Sequence, residues 1–396
     1  MTRCKKLVFP AGEGGIIKQM FFSKNTKRKD KNKMKKQYRF LSIFLALAML
    51  LALCACGGSG SSSPTDTSST TSEDASTPSD EGGDETPADA DETPADAIVL
   101  KLGTTVNEQD SFQVAAEKFA ELVKERTNGA YVIEIYPNGA LGDERTMLES
   151  MQIGTLDMGI ITSGPFVNFV PEMGVLDMPF LFASNEEAYQ ILDGEVGQEL
   201  LDKMENANLK GLAYAERGFR NLTNSVRPVE TASDMSGLKV RVMENEVYTA
   251  TFKALGVNAV PMAWTEALTA LQQETIQGQE NPVNVIYSYQ LWESQKYVTL
   301  TRHAYASAII TMSLSMFNDL PEDVQVIFKE AAQEAAEYER NWVAENEADQ
   351  LQTLKDNGME VVETPDMDSF KAAVQSVYDQ YPDYADYLTR IQDALA

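Results

Sequence analysis

Cysteine is nearly missing from this 396-residue chain: Cys4, Cys54 and Cys56 are the three copies, all before residue 57. A folded region built from the remainder has no disulfide, no thiolate nucleophile and no Cys-ligated zinc. Histidine is scarcer still, with His303 the single copy, which excludes two-histidine mechanisms and His-based metal sites. Basic residues are few beyond the N-terminus. Residues 98–396 carry 20 Lys/Arg against 47 Asp/Glu, a net of −27. That balance excludes nucleic acid as a partner, because phosphate contact needs clustered cations. It also argues against docking on anionic lipid by charge alone. No nucleophile–base pair, phosphate-cradling glycine loop or metal-ligand spacing occurs. The reading is therefore of a protein without cofactor, metal or catalytic residues, and not of an enzyme.

What is there begins with an address. From Met34 the chain reads MKKQYRF, then the apolar stretch Phe40–Leu53, then Cys54-Ala55-Cys56-Gly57-Gly58. A basic flank followed by about fourteen apolar residues reads as a signal peptide, since a membrane span needs roughly twenty. Leu53-Cys54-Ala55-Cys56 resembles a bacterial lipobox. Cys56 is the expected lipidation site, because Ala55 is small enough for the cleavage position and Leu53, before Cys54, is not. Residues 1–33 show no globular pattern, and initiation at Met20 or Met34 is the expectation. Residues 57–97 contain no base, 11 acids and the heptad Asp-Glu-Thr-Pro-Ala-Asp-Ala twice in tandem, from Asp84 and from Asp91. Such a segment buries too little to fold and reads as an extended spacer. A lipid-anchored domain on a tether, held at the outer face of the cell membrane, is the organisation this predicts.

From Ile98 onward strands and helices alternate, which argues an α/β fold. Strands are predicted at 98–104, 131–136, 156–161, 209–215, 238–243, 257–261 and 359–362. Helices are predicted at 112–126, 144–152, 186–206, 247–255 and 266–273, with a final helix at the C-terminus. Phe112, Ala115, Ala116, Phe119, Ala120 and Val123 share one face of the first helix. Pro321-Glu322-Asp323 opens a helix that can run to Asn357-Gly358, about 37 residues and roughly 55 Å. A small domain is about half that across, so this helix should bridge two lobes. The expected division puts lobe I at about 98–218 and 307–345, and lobe II at about 219–306 and 346–396.

Several residues could carry binding chemistry. Gly218-Phe219-Arg220 follows a strand at the expected lobe crossover. Arg241 lies in Leu238–Val242, on the face opposite Val240 and Val242. Two guanidiniums converging on a crevice would clamp a carboxylate, each offering a planar donor fork; singly, an Arg on a strand is more often a solvated face. Asn281, held extended before Pro282, is either a ligand contact or a turn residue. Trp264 could floor a crevice or be plain core, and His303 could bond a ligand or be structural.

The order of these segments is more telling than any one of them. Pro137-Asn-Gly-Ala-Leu-Gly-Asp143, Leu156-Asp157-Met158, Gly218-Phe219-Arg220 and Asp234-Met-Ser-Gly-Leu-Lys-Val-Arg-Val242 come first. Pro261-Met262, Glu266–Gln272, Gly278-Gln-Glu-Asn-Pro282 and Leu300-Thr-Arg-His303 follow. In this order the chain resembles, over essentially all of 98–396, the DctP-type solute-binding proteins of tripartite ATP-independent periplasmic (TRAP) transporters. The resemblance implies two α/β lobes of the periplasmic-binding-protein kind, joined by crossing hinge strands and a long bridging helix. It implies that Arg241 pairs with a ligand carboxylate, with Arg220 in support, Asn281 at the same carboxylate and Trp264 beside the ligand. Asp143, Thr105, Thr162 and His303 match positions near the pocket. Thr105 and Thr162 stand where sialate-binding members tend to carry Asn and Glu, which argues against sialic acid. A sugar acid or other organic acid is the implied ligand, and a small DctQ-like and a large DctM-like membrane subunit are the implied partners. The alternative is a ligand-presenting subunit for a membrane signalling receptor.

Overall fold

Two sheets organise residues 96–396, the part of the chain that this computed structural model describes. The expected signal peptide, the lipobox with Cys56 and nearly all of the acidic spacer lie outside the described residues. Strand β1 (Ile98–Gly103) leads through helix α1 (Ser111–Arg126) to β2 (Tyr131–Tyr136), paired in parallel with it. Helix α1 forms because its apolar residues recur at helical spacing, with Phe112, Ala115, Ala116, Phe119 and Val123 all buried. Asp110 caps it, accepting from the Phe112 N–H at 3.1 Å. Helix α2 (Glu144–Gln152) then leads to β3 (Met158–Thr162), also parallel to β1, and to the single turn α3 (Ser163–Phe166).

The stretch 186–206, expected as one helix, is instead broken into α4 (Asn185–Leu192) and α5 (Glu195–Lys203), followed by a 3-10 turn at Met204–Ala207. The chain turns at Asp193-Gly194, and the turn is tight enough that a Cβ on Gly197 would sit 1.9 Å from the Leu192 carbonyl oxygen. Only glycine permits that approach.

Strand β4 (Leu209–Phe219) runs four residues beyond the expected Ala215, because it is a hinge strand. It edges the first sheet, and after Arg220 the chain continues as β5 (Asn221–Asn224) in the second. There follow β6 (Lys239–Val242), α6 (Glu246–Ala254), β7 (Asn258–Pro261), α7 (Trp264–Gln272), β8 (Gly278–Asn281), α8 (Val283–Ser288) and β9 (Tyr297–Thr299). Strand β10 (Tyr305–Ser313) returns to the first sheet between β3 and β4. The chain ends with α9 (Leu314–Asp319), α10 (Glu322–Asp356), β11 (Glu360–Val362), α11 (Met367–Tyr378) and α12 (Ala385–Leu395). The sheet orders are β2-β1-β3-β10-β4 and β11-β9-β5-β8-β6-β7.

The two crossings run side by side. Phe219 pairs with Tyr305, the Arg220 N–H donates to Ala304 O at 2.9 Å, and the His303 N–H donates to Arg220 O at 3.2 Å. Helix α10 has 35 residues, about 52 Å at a rise of 1.5 Å. Its N-terminal half buries Val324, Phe328, Ala331, Ala332, Ala335 and Ala336 in one core with α1 and the first sheet. Its C-terminal half puts Leu354 into another core with Trp264, Val298 and Met359. It is the expected bridge. The expected division differs at one end: α12 packs on α4 and α5 of the first half, while α11 packs on α6 of the second. The C-terminus therefore crosses back, because Tyr387 and Ile391 on α12 bury into a core shared with Leu192 and Val196.

Beside the hinge, burial raises two carboxyls. The Glu216 N–H on β4 donates to Glu339 Oε2 on α10 at 2.8 Å. Burial pushes Glu216 up to about 7 against the hydrogen bond from Tyr189, with Glu347 raising it further. Glu339 is raised well above the usual carboxylate range by burial and then by Glu216. Asp177, in a 3-10 turn, is pushed up to about 7 by burial, opposed by Asn245 and Arg220. A carboxyl with a raised folded pKa holds its proton more tightly when folded. Its stabilising contribution is full below the unfolded value near 4 and is lost as pH rises through 7. Thermal melts should therefore show a lower Tm at pH 8 than at pH 5; an equal or rising Tm across that window would contradict this burial of neutral acids.

Candidate functional site

In the second sheet β6 runs parallel to both β7 and β8; in the first, β1 runs parallel to β2 and β3. Ligands in open α/β sheets bind outside the carboxyl ends of such strands, and the singled-out residues gather at those ends. Arg241 is the third residue of β6, Asn281 closes β8, and Trp264 opens α7 just after β7. Thr105 follows β1 and Thr162 ends β3.

Arg241 is 3% exposed. Its Nε donates to Met262 O at 2.9 Å, and its guanidinium carbon lies 5.5 Å from the Trp264 ring centre. Trp264 meets Tyr289 edge-on at 5.1 Å, and the Tyr289 hydroxyl donates to Thr105 O at 3.1 Å. A line of contacts thus runs from Arg241 to the first half of the molecule. On the opposite flank Asn245 Nδ2 donates to Gly164 O at 2.9 Å and to Asp177 Oδ2 at 2.7 Å. Asn168 Nδ2 donates to Glu244 O at 3.0 Å.

Four cationic side chains are buried among the described residues: Lys210, Arg217, Arg220 and Arg241. Lys210 pairs with Glu205, Arg217 with Asp110 and Arg220 with Glu280. Arg241 has no acidic partner within ion-pair distance among the described residues. Burial draws its guanidinium down to about 10, with Glu280 acting against that and Arg220 adding to it, so it stays charged at neutral pH. A buried, charged and uncompensated guanidinium is costly, and an incoming carboxylate would relieve that cost through two parallel N–H···O bonds.

Arg220 is placed differently. Its Nε and Nη2 donate to Glu280 Oε2 and Oε1 at 2.5 and 2.9 Å, and Nη2 also donates to Glu280 O at 2.6 Å. Burial raises the Glu280 carboxyl, but Arg220 and then His303 more than offset this and hold it at about 2. His303 completes the group, with Nδ1 2.8 Å from Thr301 Oγ1 and Nε2 3.2 Å from Glu280 Oε2. Both ring nitrogens are engaged inside the protein. His303, expected near the ligand, backs the Arg220–Glu280 pair. Asp143 caps α2, its Oδ1 accepting from the Thr146 N–H at 2.8 Å. Its neighbour Glu144 accepts from the Thr162 N–H at 2.8 Å and acts electrostatically on both arginines. Asn281 Nδ2 donates to Gln279 Oε1 at 2.6 Å.

Sequence reasoning missed Glu280, Glu144 and Tyr289 as parts of this site. Glu280 lay inside the quoted Gly278–Pro282 segment, and an acid beside an expected anion site was the available signal. The hydroxyl of buried Thr104 has no partner, and those of Thr105 and Thr162 make no hydrogen bond among the described residues. Thr104 carried no signal beyond its place at a strand end.

The arrangement sets a buried guanidinium, without an ion pair among the described residues, between two halves that touch on both flanks. A family model described as bacterial extracellular solute-binding protein, family 7 (DctP), matches residues 102–383. The chain belongs to the DctP family. Among its relatives is a solute-binding protein of Verminephrobacter eiseniae, 43% identical over 69% of this chain and 82% of that protein. Another is the 2,3-diketo-L-gulonate-binding periplasmic protein YiaO of Escherichia coli, 36% identical over 74% and 91%. Among solved structures, a TRAP periplasmic solute-binding protein from Polaromonas sp. JS666 with D-erythronate bound is 42% identical. It covers 74% of this chain and 98% of that one, with a TM-score of 0.73. One from Roseobacter denitrificans with bound L-galactonate is 34% identical over 74% and 98%, with a TM-score of 0.70. As a DctP-family member the chain is an extracytoplasmic substrate-binding protein of the TRAP type, with a role in transport and not in catalysis. Its two-lobed α/β fold is that of these structures.

Proposed function

We propose that this protein captures a sugar acid, clamping its carboxylate on Arg241, and delivers it to the membrane subunits of a TRAP transporter. The observation that carries this reading is Arg241, the one buried Lys or Arg among the described residues without an acidic partner, at the carboxyl ends of the second sheet's strands. Arg220 assists with the Nη1 that Glu280 leaves unused, and Asn281 with its remaining amide hydrogen. Trp264 forms an apolar wall. Thr105 and Thr162, with Asp143 nearby, meet hydroxyls along the acyl chain. Bound erythronate, galactonate and galacturonate in related structures support the ligand class. A ligand touching both halves favours the closed arrangement, and the closed form is what the membrane partners would accept.

A thermal-shift screen against aldonates, uronates and dicarboxylates tests the reading. A ligand at 100 times its Kd adds about 2.7 kcal/mol, several degrees for a domain of this size. A sugar-acid panel that leaves the Tm unmoved would sink it.

We further propose that Cys56 carries the lipid that holds the protein at the membrane. The basic and apolar run before it and the acidic spacer after it support this. Cys56→Ser should release the protein from the membrane fraction; full retention would refute the anchor.

A further inference from the structure

Glu216 and Glu339 are a pair of acids that the clamp does not use. Both are buried, one on hinge strand β4 and the other on the bridging helix α10, and the Glu216 N–H donates to Glu339 Oε2 at 2.8 Å. The β4–β10 ladder is irregular here: Ala306 faces Gly218 and Ser307 faces Glu216, so Arg217 bulges out and Gly218 takes φ +99°. Such a bulge disrupts the ladder locally, at the point where the chain crosses between the halves. Glu216 also lines a crevice of about 10 Å³ with walls from both halves, Asn185 from the first, Pro282 and Asn284 from the second, and Glu347 on α10. That volume holds about one water at most, and it cannot stay constant when the halves move.

The groups that face the pair do not neutralise it. From α4, Asn185 Nδ2 donates to Glu216 Oε1 at 3.1 Å and the Tyr189 hydroxyl donates to Oε2. From β10, the Tyr305 hydroxyl and Ser307 Oγ are buried without hydrogen-bond partners, as is Glu339 Oε1 itself. The start of α1 brings Ser111 and Asp110, the latter paired with Arg217. Helix α10 adds Glu347 and Arg340, but Arg340 is turned to Asp193 at 2.6 Å. Arg302, before β10, lies over the Phe219 ring at 4.4 Å. Burial outweighs the pull of both arginines, holding Glu216 at about 7 and Glu339 well above the usual range.

We infer that Glu216 and Glu339 are positioning residues that couple closure of the two halves to proton uptake. With the halves touching on both flanks, the pair is dry and its protonated form is favoured. Parting the halves moves the crevice walls, hydrates the pair and releases protons. Ligand binding, which favours the closed arrangement, therefore takes protons up. Affinity is highest near pH 6 and declines as pH rises through 7. This goes beyond the sugar-acid reading, which supplies only the probe.

Galactonate and D-erythronate are the probes, because their carboxyls stay ionised from pH 6 to pH 8. Calorimetry on the full protein should show Kd rising roughly tenfold between those limits, the change expected of about one linked proton. At pH 7, enthalpies in buffers of different ionisation enthalpy should report about half a proton taken up per ligand bound. Glu216→Gln with Glu339→Gln keeps the shape of the protonated acids without a titratable group. It should remove most of the pH dependence, leaving what Asp177 contributes; if it fails to fold, Glu339→Gln alone carries the comparison. X-ray scattering asks the same question without ligand: the wild type should be more compact at pH 6 than at pH 8, and the double variant equally compact at both. A profile as steep in the variant as in the wild type, or a wild type that takes up no proton, overturns the inference and leaves the sugar-acid reading intact. If neither probe binds at any pH, the sugar-acid reading fails and scattering decides this one: a wild-type radius unmoved by pH overturns it.

Discussion

Arg241→Ala should lose at least about 2 kcal/mol of ligand binding, roughly thirty-fold in Kd, because it leaves a desolvated carboxylate without its counter-ion. The expectation comes from geometry. Arg241 is buried, its Nε is spent on Met262 O, and no acid among the described residues lies within ion-pair distance. The charge that burial makes costly is the charge that a ligand carboxylate would neutralise. Two corollaries separate this from general damage. Since Arg241 supports no internal ion pair, the unliganded variant should melt within a few degrees of the wild type. Arg241→Lys should also bind poorly, because an ammonium cannot present two parallel donors to one carboxylate. Calorimetry with the best sugar acid, alongside melts of the ligand-free proteins, measures all three. A folded Arg241→Ala protein with unchanged affinity would refute the clamp.

Glu280→Ala should be the most destabilising change in the site, at about 3–5 kcal/mol, the usual cost of removing one partner of a buried pair. At roughly 2–4 °C per kcal/mol for a domain of this size, the Tm should fall by about 10 °C. Arg220 would keep its charge, fully buried and against Tyr248, with its ion pair gone, and His303 would lose the acceptor at 3.2 Å. Removing Arg220 as well should return much of the loss, since the penalty lies in the orphaned charge and not in the missing pair. Denaturant melts of the two single variants and the double variant close the cycle. A double variant no more stable than Glu280→Ala would show that the pair is not what holds the hinge. The pair also has a pH signature of its own. Its carboxyl is depressed to about 2, so its contribution is present above the unfolded value near 4.5 and disappears only as pH falls toward 2. That lies below the window in which Asp177, Glu216 and Glu339 act.

The architecture was legible because its signals are local and periodic. The 3.6-residue spacing of α1 and the Pro321-Glu322-Asp323 opening of α10 name those elements without any tertiary information. The length of α10 alone requires two lobes. Where the reading strayed, a non-local contact decided. The turn at Asp193-Gly194 depends on a backbone approach at Gly197 that no periodicity encodes. The extension of β4 to Phe219 depends on pairing with β10, nearly ninety positions later in the chain. The return of α12 to the first half depends on which core Tyr387 and Ile391 enter.

For the site, the sequence by itself determined the chemistry that could be excluded and the residues that could bind an anion. With no cysteine after residue 56 and one histidine, little remained but arginines, amides, hydroxyls and aromatics, and the ordered segments singled out Arg220 and Arg241 together. The resemblance ranked Arg241 ahead of Arg220; only the tertiary structure gives the physical reason why the two differ. Arg220 stands one residue past the end of β4 and meets Glu280 across the β5–β8 ladder, where Leu222 pairs with Glu280. Arg241, on β6 two strands away, has β7 and β8 as neighbours and forms no ion pair among the described residues. Which guanidinium is neutralised inside the protein and which is left for a ligand is a matter of strand register, and register joins residues far apart in the chain.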